Sequence, residues 1–199
     1  MSLFYRFIRA LAIVYVHIVY NCKVINKENL LSNGGIVLCS NHQSFNDVLL
    51  LASFCNRPLR FMGKEELFKN KIIAYLFKKL GAFPVSRGKG DSNAIDMAKS
   101  IVQNKEIFMI FPEGTRSKDG KMLRAKSGAA VVASSCDAPI IPVAIKYSSN
   151  RHFFCKASLI FGKPIELKMQ EQSRGEIRRI STAIMENIKE LYEKIWLLH

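Results

Sequence analysis

Short apolar runs rich in β-forming residues recur along this chain, and segments with helical spacing separate them. Residues 36–40, 59–63, 82–86, 107–111, 140–147 and 153–161 read as strands. Residues 46–56, 65–80, 91–104 and 127–135 read as helices, and Gly81 is placed to end the second of them. Pro84 marks 82–86 as an edge strand or a strand end. Ser173 and Glu176 stand at capping-box spacing before a last helix with the stripe Ile177, Ile180, Ile184, Ile188, Leu191 and Ile195. Strands that alternate with helices are joined by crossovers, which make neighbours parallel and cover both sheet faces. The expected fold is therefore α/β, a mostly parallel central sheet flanked by helices. At 199 residues and 49% apolar, the chain suits one such domain with a sizeable core.

The N-terminal stretch stands apart. Residues 3–20 are nearly all apolar, yet the longest uncharged part, 10–22, is shorter than the ~20 residues a bilayer span needs. No small-residue cleavage site follows it. On a helical wheel Ser2, Arg6, Arg9, His17 and Asn21 fall within an arc of about 120°. The rest of the surface is greasy, so an interfacial amphipathic helix is expected over 1–23, with the main domain at 24–199. Lys and Arg total 30 against 16 acids, a net charge of +14 that calls for an anionic partner. Anionic lipid headgroups and acidic carrier proteins fit. Nucleic acid does not, because no aromatic-interleaved basic platform or reader motif is present. The cysteines at 22, 39, 55, 136 and 155 form no CxxC and are odd in number, as expected of buried small hydrophobes in a reduced, cytosolic setting.

Two polar runs follow strands. In Asn41-His42-Gln43-Ser44-Phe45-Asn46-Asp47, positions 42 and 47 would lie about 140° apart on a regular helix. The imidazole reaches the carboxylate only if His42 sits in the turn before the helix, with Ser44 as N-cap. There Asp47 would fix the ring's tautomer and leave the other nitrogen to take a proton from an attacking hydroxyl. In Phe111-Pro112-Glu113-Gly114-Thr115-Arg116-Ser117, Gly114 permits close approach and Arg116 offers a planar fork suited to phosphate. Glu113 is a candidate for a substrate hydroxyl or for orienting Arg116. Arg87, Lys64 and, more weakly, Lys126 are further candidate cations at strand ends. No GxSxG elbow is present, which argues against an acyl hydrolase.

Taken together, the runs NHQSFND at 41–47, GAFPVSR at 81–87, FPEGTRS at 111–117 and IIPVAI at 140–145 resemble the glycerophospholipid acyltransferase family. Phe83-Pro84 departs from the isoleucine and bulky apolar residue usual there. The resemblance implies acyl transfer from acyl-CoA or acyl-carrier protein to the sn-2 hydroxyl of lysophosphatidic acid, without an obligatory metal or cofactor. It implies His42 as general base and Asp47 as its orienting partner. Glu113, Gly114, Thr115 and Arg116 would hold the glycerol phosphate, with Arg87 and Lys64 beside them, and Pro142 would shape the acyl pocket. An enzyme of this kind belongs on the cytoplasmic face of a membrane, attached peripherally or by one N-terminal span. Helix 65–80, with Lys69, Lys71, Lys78 and Lys79 among large apolar residues, is a second candidate membrane surface. The alternatives are another lysophospholipid or an acylated amino lipid as acceptor, and a non-catalytic basic membrane-binding protein.

Overall fold

The structure, a computed structural model, describes residues 3–31, 33–86, 92–117, 120–148, 155–167 and 173–197. Seven strands form one sheet: Tyr20–Ile25 (β1), Ile36–Ser40 (β2), Leu59–Lys64 (β3), Ala82–Val85 (β4), Ile107–Ile110 (β5), Ile140–Tyr147 (β6) and Cys155–Phe161 (β7). Their order is β1-β7-β6-β2-β5-β3-β4. From β6 to β4 every pairing is parallel; β7 runs antiparallel to β6, and β1 lies parallel to β7. The mostly parallel sheet read from the sequence is present, and Pro84 does lie on an edge strand.

Among the described residues six α-helices surround it: Leu3–Val19 (α1), Asp47–Phe54 (α2), Lys71–Lys79 (α3), Ser92–Gln103 (α4), Gly128–Cys136 (α5) and Arg174–Leu197 (α6). The central strands are buried on both faces, so they show no polar alternation and their residues divide between two cores. Ile36 and Leu38 of β2 pack with Val16 and Val19 of α1 and with Leu50 and Leu51 of α2. Val37 and Cys39 face the other way, onto α4, α5 and the Ile180, Ile184 and Ile188 stripe of α6. Ser173 caps α6 as expected, its Oγ accepting from Glu176 N at 3.1 Å, although the Glu176 carboxylate pairs with Arg179.

Three local readings change. No glycine or proline stands between α1 and residue 25, so nothing local ends the helix at Tyr20. What makes Tyr20–Ile25 into β1 is register with β7, from Tyr20 beside Cys155 to Ile25 beside Ile160. Asn21 is thus on a strand and not on the helix's polar arc, and position 23 lies inside β1. Arg9 also leaves that arc. It docks on the end of α2, donating to Ala52 O at 3.0 Å and Ser53 O at 2.9 Å. The helix expected over 65–80 is broken into a 3-10 turn, Glu65–Phe68, and α3. Asn70 starts α3 by accepting from the backbone N–H of Ile72 and Ile73. Gly81 leaves α3 at φ +93, and a Cβ there would lie 2.3 Å from Leu59 O. Among the described residues no helix is long and apolar enough to cross a membrane, so the single-span form of attachment finds no helix here.

Candidate active site

Because β2, β5, β3 and β4 are parallel, their carboxyl ends open on one edge of the sheet, where α/β folds place their sites. Asn41, at the end of β2, is buried and extends the strand with its side chain. Its Nδ2 donates to Ile145 O at 2.8 Å and its Oδ1 accepts from Ile145 N at 2.7 Å. This anchors the following turn to β6 and throws His42 over the sheet edge.

In that turn His42 Nδ1 lies 2.8 Å from Asp47 Oδ2. The same oxygen accepts from the backbone N–H of Gln43 at 2.7 Å and Ser44 at 2.8 Å. Oδ1 accepts from the Tyr147 hydroxyl at 2.6 Å. Asp47 is fully buried, and this set of donors holds its charge there. Ser44 is not the N-cap expected for α2; its Oγ accepts from Asn46 N, and Asn46 precedes the helix. Burial pushes the Tyr147 hydroxyl far up, and the charge of Asp47 adds to this, so the phenol stays a donor. The Tyr20 and Tyr147 rings are 5.7 Å apart, and Asn46 Nδ2 donates to the Tyr20 hydroxyl at 2.6 Å. With Nδ1 committed to Asp47, the free ring nitrogen of His42 is Nε2.

The second run clasps the first. Glu113 is buried; its Oε1 accepts from His42 N and its Oε2 from Leu123 N, both at 2.8 Å. Ser117 N donates to His42 O at 2.8 Å. The rings of His42 and Phe111 stack at 3.8 Å, and the Arg116 guanidinium lies 3.5 Å over Phe45. Burial raises the Glu113 carboxyl, while the Leu123 and His42 N–H groups pull it back. Both of its oxygens hold backbone, and Arg116 is oriented by Phe45 instead of by Glu113.

His42 opens on a cavity of about 310 Å³. Phe61, Met62, Ile95, Met109 and Ile110 make its apolar wall, and Gly114, Lys126 and Ser127 its polar side. Gly114 has φ +70, and a Cβ there would meet the Lys126 side chain at 2.8 Å. Lys126, the weakest cation candidate in the sequence, therefore lines the cavity of His42. Lys64 is at the end of β3 but pairs with Glu66 at 3.0 Å and does not line that cavity. Thr115 and Arg116 are exposed on the edge beside it. Arg87 lies outside the described residues. Pro142 is paired with Cys39 in the middle of the sheet, and Gly162 packs on its ring. Among the described residues no three His, Cys, Asp or Glu side chains converge as a metal site requires.

Comparison with known proteins extends these observations. A family model described as Acyltransferase matches residues 21–146. A 1-acyl-sn-glycerol-3-phosphate acyltransferase of Bacillus subtilis (strain 168) is 34% identical over 179 residues, which are 87% of this chain and 89% of that protein. A lyso-ornithine lipid O-acyltransferase of Pseudomonas aeruginosa is 30% identical over 153 residues, 75% of this chain and 57% of that one. The crystal structure of the 1-acyl-sn-glycerophosphate (LPA) acyltransferase from Thermotoga maritima matches with a TM-score of 0.78 and 24% identity, over 96% of this chain and 79% of the other. At that identity the likeness is one of fold.

Proposed function

This chain belongs to the acyltransferase family, and we propose that it moves a fatty acyl group from a thioester donor to the sn-2 hydroxyl of lysophosphatidic acid, giving phosphatidic acid. The observation that carries this reading is the His42–Asp47 pair at the mouth of a largely apolar cavity with the Lys126 ammonium on its polar side. His42 Nε2 takes the hydroxyl proton as the acceptor oxygen attacks the thioester carbonyl carbon. The tetrahedral intermediate collapses, the C–S bond breaks, and the leaving thiolate takes the proton from the imidazolium. An ester and a free thiol result, and His42 returns to its starting state. Asp47 holds the tautomer and offsets the transient imidazolium charge.

The apolar wall at Phe61, Met62 and Met109 suits a fatty chain, and Lys126 with Arg116 suits the acceptor's phosphate. Gly114 and Thr115 bring backbone to that phosphate, Arg87 serves it as the motif resemblance implies, and Glu113 braces the loop that carries His42, while Lys64, paired with Glu66, adds only to the general positive field. Membrane attachment runs through α1. Its outward residues Leu3, Phe7, Leu11, Val14 and Ile18 are exposed and apolar, and the +14 charge favours the anionic cytoplasmic leaflet. In function, then, the membrane-associated segment is α1, and the acyltransferase domain begins with β1 instead of at position 24.

The likeness to a lyso-ornithine lipid acyltransferase favours a second reading, an acylated amino lipid as acceptor. Purified protein assayed with acyl-CoA or acyl-carrier protein decides between them. Phosphatidic acid forms from lysophosphatidic acid on the first reading. Turnover of lyso-ornithine lipid alone would replace it with the second.

A further inference from the structure

A second concavity, of about 700 Å³, lies between the segment 122–127 and α6. Its floor is apolar, made by Met122, Leu123, Val131, Ile177 and Met185, and its rim carries Arg124, Arg174, Arg178 and Lys189 against one acid, Glu186. Lys189 is 3.9 Å from Glu193, an exposed pair of little consequence. Among the described residues Arg124, Arg174 and Arg178 have no ion-pair partner. The groove is tied to the reacting centre. Ser127 lines both this groove and the cavity of His42. Leu123, in the groove wall, donates its N–H to the carboxylate that also holds the His42 backbone.

We infer that this groove docks an acidic helix of the acyl-carrier protein that delivers the acyl group. The inference rests on the acyl-transfer reading and selects the carrier protein as donor. From Arg174 to Lys189 the groove follows α6 for about four turns, roughly 22 Å at 1.5 Å per residue. That length and an apolar floor between cations suit an amphipathic helix with acidic flanks. They do not suit a nucleotide, since among the described residues no aromatic ring lines the groove to stack on adenine. A carrier seated there hands its thioester arm past Ser127 to His42.

The test uses the full chain, holo-acyl-carrier protein for binding, and both acyl-carrier protein and acyl-CoA as donors. Arg124→Glu with Arg178→Glu should weaken carrier binding at low salt by at least about tenfold. It should lower kcat/KM for the acyl-carrier donor to match while transfer from acyl-CoA stays near that of the unmodified chain. Lys194→Glu, on α6 but away from the groove, should change neither. Carrier binding in the unmodified chain should fall as salt rises. Unchanged binding in the double variant, equal losses with both donors, or no carrier binding by the unmodified chain overturns the inference. Transfer from acyl-CoA by the unmodified chain reads the acyltransferase assignment separately, and binding reads the groove even if transfer fails.

Discussion

The two oxygens of Asp47 take hydrogen bonds from a ring N–H, two backbone N–H groups and a phenol. The histidine and the backbone donors lie within the motif itself, and their meeting is legible from the spacing once the turn is recognised. The phenol is not, because Tyr147 is 100 residues away and reaches Asp47 only when β6 lies beside β2. The role of Asn41 is hidden for the same reason: it opens the motif, but its partner Ile145 lies on β6. Glu113 and Arg116 show the converse: their spacing suggests a mutual pair, but Glu113 holds the backbone of His42 and Leu123 while Arg116 lies over Phe45. His42→Ala should reduce transfer by about 10²–10⁴-fold with the fold kept, as circular dichroism would show. Near-normal turnover would remove the general-base role. Tyr147→Phe should cost about 1.5–3 kcal/mol of stability, for a hydrogen bond to a charged group. Stopped assays should also find a lower kcat with little change in either KM, since the phenol orients the pair and touches no substrate. Lys126→Met should raise the KM for the phosphorylated acceptor and leave that for the thioester alone. An unmoved acceptor KM would place the phosphate elsewhere.

Among strands and helices, those with a buried periodic face were legible and those defined by a distant partner were not. β2, β5 and β6 are buried on both faces, and their apolar runs showed it. β1 has no such mark: Tyr20–Ile25 is half exposed, and only β7 makes it a strand. The apolar spacing of α3 runs on through Asn70 as if in a longer helix, but the Asn70 side chain begins a new one. Arg9 belongs here as well. A cation on a greasy helix reads as a headgroup contact, yet its guanidinium satisfies carbonyls at the end of α2, where the helix dipole favours positive charge. Arg9→Ala should therefore lower stability by about 1–2 kcal/mol, or some 2–8 °C in Tm. Vesicle binding should be unchanged, and a loss of binding at constant Tm would return Arg9 to the membrane face.

For the chain as one body, the N-terminal segment cannot be removed to test membrane attachment. Val16, Val19 and Tyr20 are in the main core, and the Tyr5 hydroxyl accepts from Leu59 N, so deleting residues 1–22 would damage the sheet. The cleaner change is Leu11→Glu with Ile18→Glu, at positions 52% and 63% exposed. It should abolish sedimentation with anionic vesicles at an unchanged Tm. If the variant still sediments, the apolar residues Ile72 and Tyr75 of α3, amid its lysines, are the anchor. The pairing of β1 with β7 bears on how the protein is born. Residues 20–25 leave the ribosome long before residues 155–161, the edge that they will join. At ~5–20 residues per second that interval is on the order of ten seconds. For that time β1 has no strand beside it, while the outer face of α1 is exposed throughout. A bilayer can thus meet the exposed face of α1 before β7 closes the sheet beside β1.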